Sequence, residues 1–132
     1  MEENNTYKIL YVDDEEINLE LFALNFETDY PVITASSAFE GLNLLAEEKI
    51  SLVITDLKMP KMNGMDFLRE IKKLYPDKVC VILSAFTEPD DIVIALNEEL
   101  VFKYMVKPWK RADMETVIKE GIEKYQEKNM YY

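Results

Sequence analysis

The sequence predicts an α/β domain with a five-stranded parallel sheet and helices on both faces, and three observations carry that prediction. Five short runs rich in β-formers alternate with five segments of helical periodicity. Strict βα alternation of this kind builds a parallel sheet through right-handed crossovers. The strand runs are nearly continuous apolar stretches, as in Leu52-Val-Ile-Thr55 and Val79-Cys-Val-Ile-Leu83, which suits strands covered on both sides. The length, 132 residues, is that of one domain with one core.

Taken in order, the first strand is Tyr7-Lys-Ile-Leu-Tyr-Val12, and it ends in Asp13-Asp14-Glu15-Glu16. Acidic residues suit the first turn of a helix, where the dipole favours negative charge. That helix carries Ile17, Leu21, Phe22, Leu24 and Phe26 and stops near Thr28. Pro31 begins a second strand, Val32–Ala35, and Ser36 or Ser37 caps the next helix, whose expected apolar face is Phe39, Leu42, Leu45 and Ala46. The third strand, Leu52–Thr55, delivers Asp56 to its carboxyl end. Pro60 stiffens the loop that follows. Gly64 precedes a helix with Phe67, Leu68, Ile71 and Leu74, which Pro76 stops. The fourth strand runs to Ser84. Thr87 is the expected N-cap of the fourth helix, with Asp90 in the capping-box position. Within that helix Ile92-Val-Ile-Ala-Leu96 is apolar all round, so part of it should be exposed, since a surface helix buries one stripe. A short strand, Phe102–Val106, leads into Lys107-Pro108-Trp109, and a final helix places Met114, Val117, Ile118, Ile122 and Tyr125 on one face.

Composition narrows the function. Fifteen basic against 26 acidic residues leave a net charge of −11, which disfavours direct binding to nucleic acid or to an anionic membrane, both polyanions. The absence of histidine removes His-based acid–base catalysis, Ser-His-Asp triads and His-ligated zinc. One cysteine, Cys80, excludes a disulfide framework and fits a reducing, cytoplasmic setting. The start, Met1–Thr6, is acidic and polar, unlike a signal peptide, and no apolar run reaches the ~18 residues of a membrane-spanning helix.

The chemistry collects at the strand ends: Asp13 and Asp14 after the first strand, Asp56 after the third, Ser84 after the fourth and Lys107 after the fifth. Ligands of open parallel sheets bind at that edge. Singly, each residue has an ordinary explanation: Asp56 as a turn cap, Asp13-Asp14 as helix-dipole partners, Ser84 as a turn residue, Lys107 as a solvated lysine. The coincidence at four strand ends favours a site. Three carboxylates without His or Cys suit a hard cation such as Mg²⁺, and a hydroxyl and an ammonium beside it suit the oxygens of a phosphoryl group. Phosphoryl transfer with aspartate as nucleophile is the reaction these groups support.

With Asp13-Asp14, Asp56-Leu-Lys-Met-Pro-Lys-Met-Asn-Gly64, Ser84-Ala85 and Tyr104-Met-Val-Lys107-Pro108 in this order, the chain resembles the receiver domain of two-component response regulators across about residues 7–126. The resemblance implies a flavodoxin-like, doubly wound sheet of order 2-1-3-4-5 with five helices on its two faces. It implies a receiver domain over residues 7–127, a disordered tail at 1–6, and a tail or the start of a linker at 128–132. By the same resemblance Asp56 is the phosphoacceptor for a sensor histidine kinase or phosphotransfer protein. Asp14, Asp56 and the backbone carbonyl of Lys58 would bind Mg²⁺ directly, with Mn²⁺ as a substitute and Asp13 acting through water. Lys107 would contact a phosphoryl oxygen, and Lys107-Pro108 would be a cis peptide. Ser84 would move to the phosphoryl group and Tyr104 would turn inward as the switch. Catalysis would be limited to the protein's own aspartyl phosphate. The fourth helix, fifth strand and fifth helix would form a homodimer or effector-docking face. Ser84 stands where threonine is commoner in the family, and Glu98-Glu99-Leu100 stands where Gly-Ala is frequent. Other readings of the acidic cluster are an aspartate-nucleophile phosphohydrolase, which uses Asp-x-Asp where this chain has Asp13-Asp14-Glu15, an unphosphorylated binding module, and a flavin carrier of the same fold.

Overall fold

A computed structural model describes residues 7–85 and 89–129. Its elements are β1 (Lys8–Val12), α1 (Glu16–Phe26), β2 (Val32–Ala35), α2 (Ala38–Glu47), β3 (Ile50–Asp56), α3 (Gly64–Leu74), β4 (Val79–Ser84), α4 (Pro89–Asn97), β5 (Lys103–Val106) and α5 (Arg111–Lys128). All strand pairs are parallel, in the order β2-β1-β3-β4-β5. This is the flavodoxin-like doubly wound topology, with five helices, that the resemblance implies. The tail at 1–6 and the Thr87 cap lie outside the described residues.

The central strands β1, β3 and β4 are buried almost throughout, so their side chains feed two cores. Leu10, Val12, Val53 and Ile82 pack on the α2–α3–α4 side. Ile9, Tyr11, Leu52, Ile54, Val81 and Leu83 pack under α1 and α5. The five α5 residues expected on one face are all buried there. No helix among the described residues is long and apolar enough to cross a membrane.

The α2 face differs from the expected one, and α1 and α3 bury only part of their apolar residues. In α1 the buried stripe is Leu19, Phe22 and Phe26, whereas Ile17 and Leu24 are 60% and 70% exposed and Leu21 is also exposed. At 100° per residue these two triplets lie on opposite sides of the helix. An apolar residue count cannot choose between them; the aromatic pair can, because Tyr11 stacks on Phe22 at 4.3 Å. In α2 the buried residues are Ala38, Gly41 and Leu45, with Leu42 half-buried, while Phe39 and Ala46 face solvent. Small residues are what allow close approach here. A Cβ on Gly41 would come within 2.8 Å of the Phe67 ring. In α3, Leu74 is exposed while Met65 joins Phe67, Leu68 and Ile71 in the core.

The caps follow local chemistry. Ser37 accepts from Glu40 N at the start of α2, and Asn63 accepts from Asp66 N at the start of α3. The turn into β5 passes through Glu99 at φ 59°, a left-handed conformation that glycine adopts more easily. In α4, Ile92 and Ala95 are buried, whereas Val93, Ile94 and Leu96 are exposed, as the all-round apolar run requires.

Candidate functional site

Strand order makes the site. With β1 beside β3, and β3 beside β4, the chain leaves the sheet at Asp13, Asp56 and Ser84 along one edge, and β5 adds Lys107 next to Ser84. One carboxylate oxygen from each of Asp13, Asp14 and Asp56 lies within 4.8 Å of the others. Asp13 is fully buried, Asp14 is exposed, and Asp56 lies between.

Lys107 Nζ bridges the cluster. It donates to Asp56 Oδ2 at 2.8 Å and to Asp13 Oδ2 at 2.9 Å. Burial works against its charge, but hydrogen bonds and attraction from Asp56 and Asp13 together outweigh that cost and raise its pKa above the ordinary lysine value. The Lys107-Pro108 peptide is cis, and Lys107 N donates to Ser84 O at 2.7 Å. The bond to Ser84 O ties Lys107 to the end of β4, beside the acidic cluster.

Asp13 has further donors. Glu15 N reaches Asp13 Oδ1 at 2.9 Å, and Asn18 Nδ2 reaches Asp13 Oδ2 at 3.1 Å and Glu15 Oε1 at 2.9 Å. Asn18 was not singled out from the sequence; an amide in the first turn of a helix, five residues after a strand-end aspartate, is the signal that was there to read. Asp56 Oδ1 accepts from Lys58 N at 3.3 Å. The loop closes because Gly64 N donates to Leu57 O at 2.8 Å, and a Cβ at Gly64 would stand 2.4 Å from Asp56 O. No side chain fits there.

A groove of about 440 Å³ opens on the pocket between the β3–α3 loop and α4, lined by Asp14, Lys58, Met59, Pro60, Asn63 and Asp91 among others. On the other side, Trp109 packs edge-on against Phe22, 6.2 Å between centroids. Tyr11 lies beneath. Its hydroxyl pKa is pushed up by burial and by Asp13, against an opposing hydrogen bond from Trp109, and Asp56 adds to the rise. Ser84 is buried, and Tyr104 stands 41% exposed on β5. Ser84 pairs in register with Val106, and Tyr104 with Ile82, so the two candidate switch residues lie on the same face of the sheet, two residues apart along it.

A doubly wound sheet of this order, carrying an acidic pocket at its carboxyl edge, defines the flavodoxin-like receiver architecture. The family model described as the response regulator receiver domain matches residues 9–119, and the chain belongs to that family. Among curated relatives, the transcriptional regulatory protein GlrR of Escherichia coli is 37% identical over 116 residues, covering 87% of this chain and 26% of GlrR. The chain spans about a quarter of the length of the first transcriptional regulators it matches. A receiver domain protein from Clostridium thermocellum is similar in structure, with TM-score 0.85 and 39% identity, covering 91% of this chain and 97% of that one. TrrA of Thermotoga maritima, solved in complex with Mg²⁺ and BeF, gives TM-score 0.77 at 28% identity, covering 87% of this chain and 98% of that one.

Proposed function

We propose that the chain takes a phosphoryl group from a phosphohistidine onto Asp56 and passes that event to a docking face. The observation that carries this reading is the Lys107 bridge: one ammonium within 2.9 Å of both Asp13 and Asp56. A phosphoryl group arriving on Asp56 meets a cation already in place.

An Asp56 carboxylate oxygen attacks phosphorus in line. The O–P bond forms as the P–N bond to the donor imidazole breaks, and the imidazole leaves as it gains a proton from solvent. Asp14, Asp56 and the Lys58 carbonyl are the groups to hold Mg²⁺, or Mn²⁺ in its place, with Asp13 acting through water. An oxygen-only set with three carboxylate atoms inside 4.8 Å fits such an ion. Bound Mg²⁺ supplies charge that offsets the phosphoryl oxygens. Lys107 turns from Asp13 toward a phosphoryl oxygen, and the Ser84 hydroxyl donates to another. Displacement of Ser84 frees volume on the β4–β5 side, and Tyr104 turns inward to fill it.

The functional unit is residues 7–127. It turns over no external substrate beyond its own aspartyl phosphate, and it acts in the cytoplasm. Its donor is a sensor histidine kinase or phosphotransfer protein. Val93, Ile94, Tyr104 and Val106, all partly exposed, make the α4–β5–α5 side the face for an effector or a second copy. The net charge of −11 argues against nucleic acid and membrane as direct partners.

Borohydride trapping tests the assignment. Reduction after incubation with a phosphodonor and Mg²⁺ should leave homoserine at position 56 in the peptide map. Homoserine at another position, or none, would overturn it.

A further inference from the structure

We infer that Asn18 is a positioning residue that keeps Asp13 paired while Lys107 is engaged with the phosphoryl group. This rests on the proposed phosphoacceptor role of Asp56 and goes beyond it. Asp13 is fully buried and accepts three hydrogen bonds: Glu15 N on Oδ1, and both Lys107 and Asn18 on Oδ2. Two of these donors are fixed in different ways. Glu15 N belongs to the backbone at the entry to α1, and Asn18 sits in the first turn of the same helix. Lys107 arrives from β5 and is shared with Asp56. It is the donor that a phosphoryl group on Asp56 draws away.

A buried carboxylate that loses a donor is left with an unsatisfied oxygen. Asn18 prevents that at Oδ2. It is neutral, so it does not compete with Lys107 for the phosphoryl oxygens. Its second amide hydrogen goes to Glu15 Oε1 at 2.9 Å. That bond fixes the amide with its nitrogen toward Asp13, since both partners are carboxylates. The side chain thus matters little while Lys107 rests on Asp13, and more once Lys107 has moved.

This difference between states is measurable on the whole chain. Mg²⁺ alone leaves Lys107 free to stay on Asp13; beryllofluoride with Mg²⁺, a phosphoryl-like group on Asp56, draws it off Asp13. Asn18→Leu keeps the volume and removes the donor. Its Mg²⁺ affinity should stay within about twofold of wild type, while beryllofluoride binding in saturating Mg²⁺ weakens by about tenfold, the size of one hydrogen bond to a charged group. Asn18→Gln, which retains the amide, should recover most of the loss. Thermal unfolding without ligand checks that both variants are folded. Equal beryllofluoride affinity in wild type and Asn18→Leu would overturn the inference, and so would an equal loss of Mg²⁺ and beryllofluoride binding, which marks a merely structural residue. No beryllofluoride binding by wild type would instead overturn the phosphoacceptor reading itself.

Discussion

Lys107 Nζ lies 2.9 Å from Asp13 Oδ2 and 2.8 Å from Asp56 Oδ2, joining the ends of β1 and β3 through one ammonium. Two carboxylates that would repel each other are held by a cation carried in from β5. Lys107→Met removes that cation and leaves a buried Asp13 facing Asp56. The expected cost is ~1–3 kcal/mol of unfolding free energy without metal. Urea unfolding with and without Mg²⁺ checks it: added Mg²⁺ should stabilise the variant more than wild type. A variant as stable as wild type in metal-free buffer contradicts the bridge.

The same bridge sets an alkaline limit. The folded pKa of Lys107 is raised above the ordinary lysine value by Asp56 and Asp13, despite burial. A group held protonated by folding contributes its full stability below the unfolded pKa, about 10.4 for lysine. That contribution is lost as pH rises through the higher folded value. The stability gap between wild type and Lys107→Met should therefore be constant from neutral pH to about 9 and narrow above about 10.5. A gap that widens with rising pH would contradict the sign.

Gly64 is required by backbone rather than by side chains. A Cβ there meets Asp56 O at 2.4 Å and Leu57 Cα at 2.6 Å, and neither can rotate away. Gly41 and Gly121 would meet side-chain atoms of Phe67 and Leu52, each at 2.8 Å. Gly64→Ala should cost ~1–3 kcal/mol or more and exceed both other Gly→Ala changes by urea unfolding. It should also slow phosphorylation, because the displaced atom is the Asp56 carbonyl.

The two sides of α1 should behave differently. Leu24→Glu changes an exposed residue and should shift stability by no more than about 0.5 kcal/mol. Phe22→Ala empties a space between Tyr11, Phe26 and Trp109 and should cost ~3–5 kcal/mol. On α4, Val93→Glu and Ile94→Glu should likewise leave the fold intact while weakening self-association or effector binding. Sedimentation and binding measurements unchanged in both would remove the docking face.

The sequence made the strand ends legible because each strand is a short apolar run with an abrupt polar stop: Val12 to Asp13, Thr55 to Asp56, Val106 to Lys107. Side-chain alternation does not enter, so the strand ends follow from the pattern without the register. Helix faces were harder. In α1, Leu19 and Leu21 are chemically alike, and only the stacking of Phe22 on Tyr11 decides which is buried. In α2 the sheet and α3 take the small residues Ala38 and Gly41 and leave Phe39 outside, the reverse of what hydrophobicity suggests. The acidic pair could be found by position, but the donors that hold it, Asn18 and the Glu15 amide, depend on how the first turn of α1 is placed over Asp13. Residue types alone do not state that placement.

The most direct test of Asp56 as phosphoacceptor is the intact mass of the whole chain after incubation with phosphoramidate, with and without Mg²⁺, for wild type and Asp56→Asn. A gain of one phosphoryl group in wild type, dependent on Mg²⁺ and absent from Asp56→Asn, is the expected result. No gain in wild type, or an equal gain in Asp56→Asn, would contradict it.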